Sequence, residues 1–448
     1  MNNFNWLHFS DLHFNFNENI DTHYARKSLV KKLKEENLHC DYIFFTGDIV
    51  DKCDYESIDF IHEIIDTITI SNNNVRIFWA VGNHDISRHV DSRNELINKI
   101  RCKGNELFNQ SLSNDCDILI TKGMKDYSEN YYSVCKEHLS ELDGSVHKLI
   151  ILESVNIIIL NTCITSCDEN DERGLYVVNH ELIDLMDNID KSKPTIAIGH
   201  HGQDFLHRDD KYRLYDLFNN IVDLYLCGHS HRLGYSVFNN TDNDIIELTC
   251  GGGIFDNYSK FTFIYGEYNA INYDATITPY SYSEKGNHEW NKDFFLHRKI
   301  REGAKFSISR LKNIYSVHKM IITNARFSFS IQVPADWNVD HDVSDNGDGF
   351  IVWSSNNKFR ITAYGNHDIS AFGHTDYFNF MKNIYPITKD FTFINNKNGY
   401  VFYGNNNEIN FTLFNDDNSA SANLHFIYDI DNMDFMYAIA KTLHFKYL

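Results

Sequence analysis

Five short groups of candidate metal ligands occur in order along the first half of the chain: Asp11-Leu12-His13, Gly47-Asp48, Gly82-Asn83-His84-Asp85, Gly199-His200 and Gly228-His229-Ser230-His231. Asp11 and His13 stand two residues apart, so both side chains can point the same way and hold one cation. Mixed carboxylate, amide and imidazole ligands suit Mn, Fe, Zn, Ni or Co. We therefore expect a site for two divalent metal ions. The ligand sets are Asp11, His13 and His231 for the first ion and Asn83, His200 and His229 for the second, with Asp48 as the bridge.

Two such ions could carry out the hydrolysis of a phosphate ester. Ions about 3.5–4 Å apart can share a bridging hydroxide as the nucleophile and neutralise the charge that develops on a phosphoryl group during in-line attack. His84 follows the ligand Asn83 and should face the substrate, where it could protonate the leaving oxygen or stabilise the transition state. Asp85 could orient the His84 ring through a hydrogen bond. We therefore expect His84 and Asp85 to be catalytic.

Each of the five groups follows a short apolar run that is typical of a buried strand: Trp6 to Phe9, Tyr42 to Thr46, Ile77 to Val81, Thr195 to Ile198, and Leu224 to Cys227. Apolar residues at helical spacing, such as Leu29 and Leu33 or Ile61 and Ile65, separate the first three strands and predict βαβ units. Parallel α/β sheets bind ligands beyond the carboxyl ends of their strands. The pattern thus predicts an α/β domain whose strand ends place all five groups around one point.

The rest of the chain predicts a cap, a linker and a second domain. Residues from about His89 to His147 form a polar insertion with helical pieces, which should lie over the mouth of the site. We expect a catalytic domain over residues 1–295, a charged linker over 296–320, and a smaller α+β domain over 321–448. The second domain opens with the alternation Phe327, Phe329, Ile331, Val333 and closes with an amphipathic helix, Asp434 to Leu443.

Composition limits the class of protein and its partners. The formal charge of −21 argues against a long nucleic acid bound by charge neutralisation, although a short nucleotide could still bind. Nine cysteines without a paired framework suit a reducing compartment. The N-terminus has no basic region followed by an apolar core, and no apolar stretch is long enough to span a bilayer. We expect a soluble, cytoplasmic protein that does not bind membranes.

The five groups together resemble the calcineurin-like metallophosphoesterase superfamily, whose pattern is Asp-x-His, Gly-Asp, Gly-Asn-His-Asp/Glu, His and Gly-His-x-His. The resemblance covers about residues 4–295 and implies a two-sheet α/β sandwich, with a dinuclear site at one edge and the roles given above. Phosphoprotein phosphatases of this superfamily carry Arg before Gly-Asn-His-Glu and Arg-Gly after Gly-Asp-x-Val-Asp. Here Val81, Lys52 and Cys53 stand at those positions, so the chain looks more like the cyclic-nucleotide phosphodiesterase branch.

We interpret the chain as a dinuclear metal phosphodiesterase acting on a nucleotide-like substrate. The alternatives are a DNA exo- or endonuclease of the same superfamily and a non-catalytic protein-binding scaffold. The C-terminal domain has no comparable cluster of ligands, and we expect it to be a binding or assembly module that could bind a protein partner. Its Phe329-Ser330-Ile331-Gln332-Val333-Pro334-x-x-Trp337 stretch and its terminal helix loosely resemble the PsbP-like α/β sandwich family, which implies no chemistry.

Several other residues match parts of the pattern or stand near it. Gly-Asn-His recurs at Gly286 to Glu289 and at Gly365 to Asp368, where we expect ordinary turns. His201 is expected beside the ligands but not among them, and His8 is expected to pack within its strand. The remaining candidates for contact with the substrate phosphate are Arg26, Arg88 and His89. Each of these residues could equally be a solvated charge on the surface.

Overall fold

The structure is a computed structural model that describes residues 3–14, 20–70, 74–87, 90–135, 146–167, 173–239, 244–252, 259–270, 272–283, 288–293, 305–308, 310–311, 319–335, 337–341, 347–354, 359–366, 374–384, 387–393, 398–404, 408–415, 420–427 and 433–445. The chain divides into two compact units, Asn2–Leu311 and Lys312–Leu448, the latter with Met1. Among the described residues, no helix combines the length and the apolarity needed to cross a membrane.

The first unit alternates strands and helices over its N-terminal part. Its strands are β1 (Phe4–Phe9), β2 (Tyr42–Phe45), β3 (Arg76–Trp79), β4 (Lys148–Ile151), β5 (Asn156–Ile159), β6 (Thr195–Ile198), β7 (Leu224–Cys227), β8 (Gly234–Asn239), β9 (Asp244–Thr249), β10 (Thr262–Asn269), β11 (Asp274–Ser283), β12 (Glu289–Lys292) and β13 (Lys305–Ser307). Its helices are α1 (Ile20–Glu36), α2 (Ile58–Thr69), α3 (Arg93–Lys103), α4 (Asn105–Asn114), α5 (Lys125–Cys135), α6 (His180–Asp187) and α7 (Arg208–Phe218).

These strands form two mixed sheets. The first has the order β12-β11-β10-β1-β2-β3, with β13 paired to β11, and β1, β2 and β3 run parallel. The second has the order β4-β5-β6-β7-β9-β8, with β5, β6, β7 and β9 parallel. Antiparallel strands extend both sheets. This is the two-sheet α/β sandwich that we expected.

Helical spacing of apolar residues explains how α1 and α2 cover the first sheet. Leu29 and Leu33 of α1 and Ile61 and Ile65 of α2 are buried in one cluster with Phe45 and other strand residues. Each buried leucine or isoleucine side chain contributes about 1.5–3 kcal/mol relative to an exposed one. The apolar residues whose spacing predicted α1 and α2 therefore also hold these helices against the first sheet.

The insertion contains the predicted helical pieces, α3, α4 and α5, and it packs on loops at the carboxyl ends of strands. Tyr127 of α5 donates a hydrogen bond from its hydroxyl to the carbonyl of Trp79, at the end of β3. Arg93 is fully buried and donates to the carbonyls of Cys163 and Ile164, which follow β5. The insertion thus lies at the edge of the sandwich where the ligand groups are expected.

Part of the segment predicted as a linker, residues 296–320, packs within the first unit. Strand β13 pairs with β11, and the Ile308 amide donates to the carbonyl of Tyr273. Arg310 is buried against Asp223, with Nε to Oδ1 at 3.0 Å and Nη2 to Oδ2 at 2.6 Å. Asp223 precedes β7, so the described residues 305–308 and 310–311 connect the first sheet to the amino-terminal end of the second.

The second unit is an antiparallel α+β domain. Its strands are β14 (Lys319–Asn324), β15 (Phe329–Pro334), β16 (Asn338–Asp340), β17 (Gly349–Trp353), β18 (Arg360–Asn366), β19 (Ile387–Thr392), β20 (Asn398–Tyr403), β21 (Glu408–Phe414), β22 (Ser421–Ile427) and β23 (His444–Phe445), and its helices are α8 (His374–Ile384) and α9 (Met433–Lys441). The sheets have the orders β16-β17-β18-β22-β21-β20-β19 and β14-β15-β23. The predicted alternation places Phe329, Ile331 and Val333 in one buried cluster with Met436 and Ile439 of α9.

Candidate metal centre

The structure brings all seven predicted metal ligands together at one edge of the sandwich. They follow the carboxyl ends of five parallel strands: Asp11 and His13 follow β1, Asp48 follows β2, Asn83 follows β3, His200 follows β6, and His229 and His231 follow β7. Three of these strands belong to the first sheet and two to the second. The site therefore depends on the two sheets being packed together.

The first cluster contains Asp11, His13 and His231. His231 Nε2 lies 3.4 Å from Asp11 Oδ1 and 3.2 Å from His13 Nε2. His13 Nε2 is also 3.8 Å from Asp48 Oδ2. One ligand atom from each of Asp11, His13 and His231 lies within 4.8 Å of the others, close enough for a single cation.

The second cluster surrounds Nε2 of His200. This atom lies 2.8 Å from Asn83 Oδ1, 3.1 Å from Asp48 Oδ2 and 3.2 Å from His229 Nδ1. Asp48 is within reach of both clusters, and it is buried. Its position between them is the one that a bridging carboxylate requires.

The chemistry of these atoms fits a cation. His200 Nδ1 lies 2.9 Å from the carbonyl oxygen of Thr46, which can only accept, so Nδ1 carries a proton, and in the neutral form of the ring Nε2 presents a lone pair. Nε2 faces the oxygen atoms Asn83 Oδ1 and Asp48 Oδ2, which are acceptors. Burial alone would lower the pKa of His200, yet the carboxylates of Asp48 and Asp11 raise it to about 9. The two carboxylates thus favour a positive charge at the place where the oxygen atoms of Asp48 and Asn83 lie close together.

Five of the seven ligands adopt the left-handed backbone conformation, which is uncommon for residues other than glycine. The φ angles are 52° at Asp11, 47° at His13, 50° at Asp48, 66° at His229 and 53° at His231. Such conformations cost on the order of 1 kcal/mol each and persist where the surrounding structure holds them. Here the His229 amide donates to both carboxylate oxygens of Asp11, at 3.0 and 2.9 Å. The predicted ligands thus include several strained backbone positions.

Two glycines let the loops approach this closely. Gly47 has φ +90°, and a Cβ there would lie 2.7 Å from Gly82 Cα and from His200 Nδ1. A Cβ on Gly228 would lie 1.8 Å from Ser10 Oγ. Both positions precede a ligand, so the glycines of the motifs are needed for loop packing.

The expectation that Asp85 orients His84 is wrong. The Asp85 carboxylate is fully buried and accepts hydrogen bonds from five N–H groups instead: the amides of Asp48, Ile49, Val50 and Gly82 and the indole of Trp79. A carboxylate enclosed by these donors cannot also reach the His84 ring. Asp85 therefore holds the loops after β2 and β3 together.

Asp51 takes the place that we had expected for Asp85. Its Oδ1 lies 2.9 Å from His84 Nδ1, and both side chains are 22% exposed. The hydrogen bond to His84 holds the pKa of Asp51 below its usual value. Sequence reasoning missed this residue, although Gly47-Asp48-Ile49-Val50-Asp51 contains the second Asp of the Gly-Asp-x-Val-Asp pattern.

The other residues singled out in the sequence either contact groups outside the two clusters or lie outside the described residues. His8 is buried and lies 2.8 Å from Thr46 Oγ1 through Nε2. Arg26 pairs with Glu63 at 2.5 Å and lies over the Phe60 ring, so it joins α1 to α2. Arg88, His89, Gly286, Asn287, His367 and Asp368 lie outside the described residues.

Comparison with known proteins agrees with the fold and the motifs. Residues 4–233 match the family model of the calcineurin-like phosphoesterases. The class of protein is thus one with the metallophosphoesterase fold. The chain belongs to the calcineurin-like phosphoesterase family.

Three other proteins are similar to parts of the chain. An uncharacterized metallophosphoesterase-like protein of Bacillus subtilis strain 168, YydB, is 30% identical over 325 residues, which are 69% of this chain and 66% of that protein, slightly less than two thirds. The solved structure of a dimetal phosphatase from Danio rerio is 12% identical, with a TM-score of 0.36, over 64% of this chain and 98% of that one. For the C-terminal part, a PsbP structure from Synechocystis is 9% identical, with a TM-score of 0.24, over 29% of this chain and 94% of that one.

Proposed function

We propose that the chain hydrolyses a phosphodiester in a small, nucleotide-like substrate with the help of two divalent metal ions. The observation that carries this proposal is the pair of ligand clusters that share Asp48 at one edge of the sandwich. Asp11, His13 and His231 would hold one ion, and Asn83, His200 and His229 would hold the other. The donor set suits Mn, Fe, Zn, Ni or Co. When bound, two such ions would supply a deprotonated water and neutralise charge on the phosphoryl group.

His84 would assist departure of the leaving group. Its Nδ1 is occupied by Asp51, so Nε2 is the ring nitrogen left for the substrate. As hydroxide adds to phosphorus and the ester P–O bond breaks, a proton from Nε2 would pass to the leaving oxygen. Asp51 would keep the ring oriented through its hydrogen bond to Nδ1.

A preference for diesters over monoesters has support in the residues beside the site. Val81, which stands where phosphoprotein phosphatases carry Arg, is apolar and 3% exposed, so it cannot neutralise the second negative charge of a monoester. Arg26, another candidate for phosphate contact, is paired with Glu63. A diester carries one negative charge, and it needs less neutralisation.

We further propose that the chain consists of a catalytic domain, a connecting segment and an accessory domain over residues 321–448. The accessory domain would bind a protein partner or tune access to the site. We also propose a cytoplasmic location, because the cysteines suit a reducing compartment.

An activity panel tests the proposal. Full-length protein reconstituted with Mn²⁺, Zn²⁺ or Co²⁺ is assayed on an aryl phosphodiester, an aryl phosphomonoester, cyclic nucleotides and linear DNA. Asp48→Ala should lower kcat/KM by at least about 10³-fold and His84→Ala by about 10²-fold or more. The control variant His180→Ala changes an exposed histidine at the start of α6 and should keep full activity.

The panel also separates the alternatives. Activity that survives Asp48→Ala would refute the bridging role. A monoester preference would overturn the diester assignment, and cleavage of linear DNA in preference to small diesters would favour the nuclease. Absence of hydrolysis with every metal and substrate would favour the scaffold.

A further inference from the structure

His201 is a buried histidine with one ring nitrogen left over. Its side chain follows the proposed ligand His200 and is fully buried. Nδ1 lies 3.0 Å from the hydroxyl oxygen of Thr162, which also accepts the His201 backbone amide at 3.1 Å. Nε2 is buried and has no hydrogen-bond partner among the described residues. A buried polar atom without a hydrogen bond lowers the stability of the fold, and most buried polar atoms in proteins have a partner.

The surroundings of His201 point to the second metal cluster. One ring nitrogen from each of His200, His201 and His229 lies within 4.8 Å of the others. The rings of His201 and His229 are 4.3 Å apart between centroids, and Phe205 packs edge-on against His229 at 4.4 Å. Three imidazoles therefore converge beside Asn83 and Asp48.

The hydrogen bonding of His201 parallels that of His200. In His200, Nδ1 donates to a backbone carbonyl, which leaves the Nε2 lone pair for the cluster. In His201, donation from Nδ1 to Thr162 Oγ1 would leave the Nε2 lone pair in the same way. Metal-bound histidines commonly donate the other ring N–H to a protein oxygen, which fixes the tautomer. Thr162 fits this supporting role.

We propose that His201 is a further ligand of the second metal position, which would then hold three imidazoles, Asn83 and Asp48. This inference rests on the proposed two-metal site. The first position would have two imidazoles, from His13 and His231, with Asp11 and Asp48. Imidazole suits Zn²⁺ and Co²⁺, whereas Mn²⁺ favours oxygen ligands. The two positions should therefore differ in metal preference, and His201 would set the difference.

Metal titration of the metal-free full-length chain tests this assignment. Co²⁺ and Mn²⁺ binding is measured against a chromophoric chelator, and the visible absorption of bound Co²⁺ is recorded. His201→Gln should keep two Co²⁺ sites but weaken one of them by about tenfold or more, with a changed absorption spectrum. Mn²⁺ affinity should change less. His147→Gln, which alters another buried histidine of the same unit, should leave Co²⁺ binding as in the wild type.

The results separate the role of His201 from the two-metal site on which it depends. If His200→Ala loses a Co²⁺ site while His201→Gln binds like the wild type, the two-metal site stands and the role of His201 is overturned. If the wild type binds fewer than two Co²⁺ ions, both fail. A crystal structure of the zinc-loaded wild type needs no variant: a His201 nitrogen about 2.1 Å from zinc supports the assignment, and zinc bound without His201 overturns it.

Discussion

Arg310 should contribute several kcal/mol to the stability of the first unit. Its guanidinium and the Asp223 carboxylate are 3% and 2% exposed, and two hydrogen bonds, at 3.0 and 2.6 Å, join them. The guanidinium also donates to the carbonyls of Lys191 and Lys193. Among the described residues, Arg310→Met would leave Asp223 with the Thr195 amide as its remaining hydrogen-bond donor.

Removing one partner of a buried ion pair costs about 3–5 kcal/mol because the other charge stays buried. For a unit of this size that corresponds to roughly 5–8 °C in Tm. The double variant Arg310→Met with Asp223→Asn should be more stable than Arg310→Met alone, because it removes the unpaired charge. The two substitutions are then non-additive, as expected for residues in direct contact.

The pH dependence gives a second test. Burial raises the pKa of Asp223, and Arg310 opposes this effect. A carboxyl whose folded-state pKa lies above its unfolded value of about 3.9 stabilises the fold below that value and loses this contribution as pH rises. Without Arg310 the effect should grow, so the deficit of Arg310→Met should be larger at pH 8 than at pH 5.

Urea denaturation of the full-length variants at both pH values measures these differences. Arg310→Lys is the matched control for charge, since it keeps the cation but not the paired geometry. A deficit below about 1 kcal/mol at pH 8, or the same deficit at both pH values, would refute the reasoning.

Two further predictions concern Asp51 and Asp210. Asp51→Asn should lower kcat by about 10–100-fold with little change in KM, and the double variant with His84→Asn should lose no more activity than His84→Asn alone because the two side chains act as a unit. Independent, multiplicative losses in steady-state kinetics would contradict that pairing. Burial raises the pKa of Asp210 to about 6, so its contribution to stability is present below about pH 4 and is lost as pH rises through 6. Asp210→Asn should remove this slope, on the order of 2 kcal/mol in urea denaturation between pH 4 and 8, and an unchanged slope would show that other groups cause it.

The strands that carry the ligands could be predicted from sequence with small errors in their ends. Thr195–Ile198 and Leu224–Cys227 have the predicted bounds, and Trp6 to Phe9 lies within Phe4–Phe9. Short apolar runs followed by Gly and a polar residue are informative here because parallel strands are buried on both faces. The same order of motifs predicted the side chains that lie together at the candidate metal centre.

The side-chain partners within the site could not be predicted in this way. Asp85 is next to His84 in sequence, yet the left-handed turns at Asp48, Lys52 and Cys53 bring Asp51 to the His84 ring. Similarly, a charged segment that resembles a linker gave no sign that Arg310 would be buried. Both cases depend on loop geometry and on contacts between residues distant in sequence. Composition and periodicity contain no information about either.

The left-handed conformation of five ligands restricts which residues can replace them. Aspartate, asparagine and histidine are the non-glycine residues that adopt this conformation most readily, and they are also metal ligands. A β-branched residue at Asp48 or His229 would lose the ligand atom and would also be unable to adopt the turn without strain. Backbone geometry and coordination chemistry thus select the same few residue types, so a variant that loses metal binding but keeps the fold should most often carry asparagine or glycine at these positions.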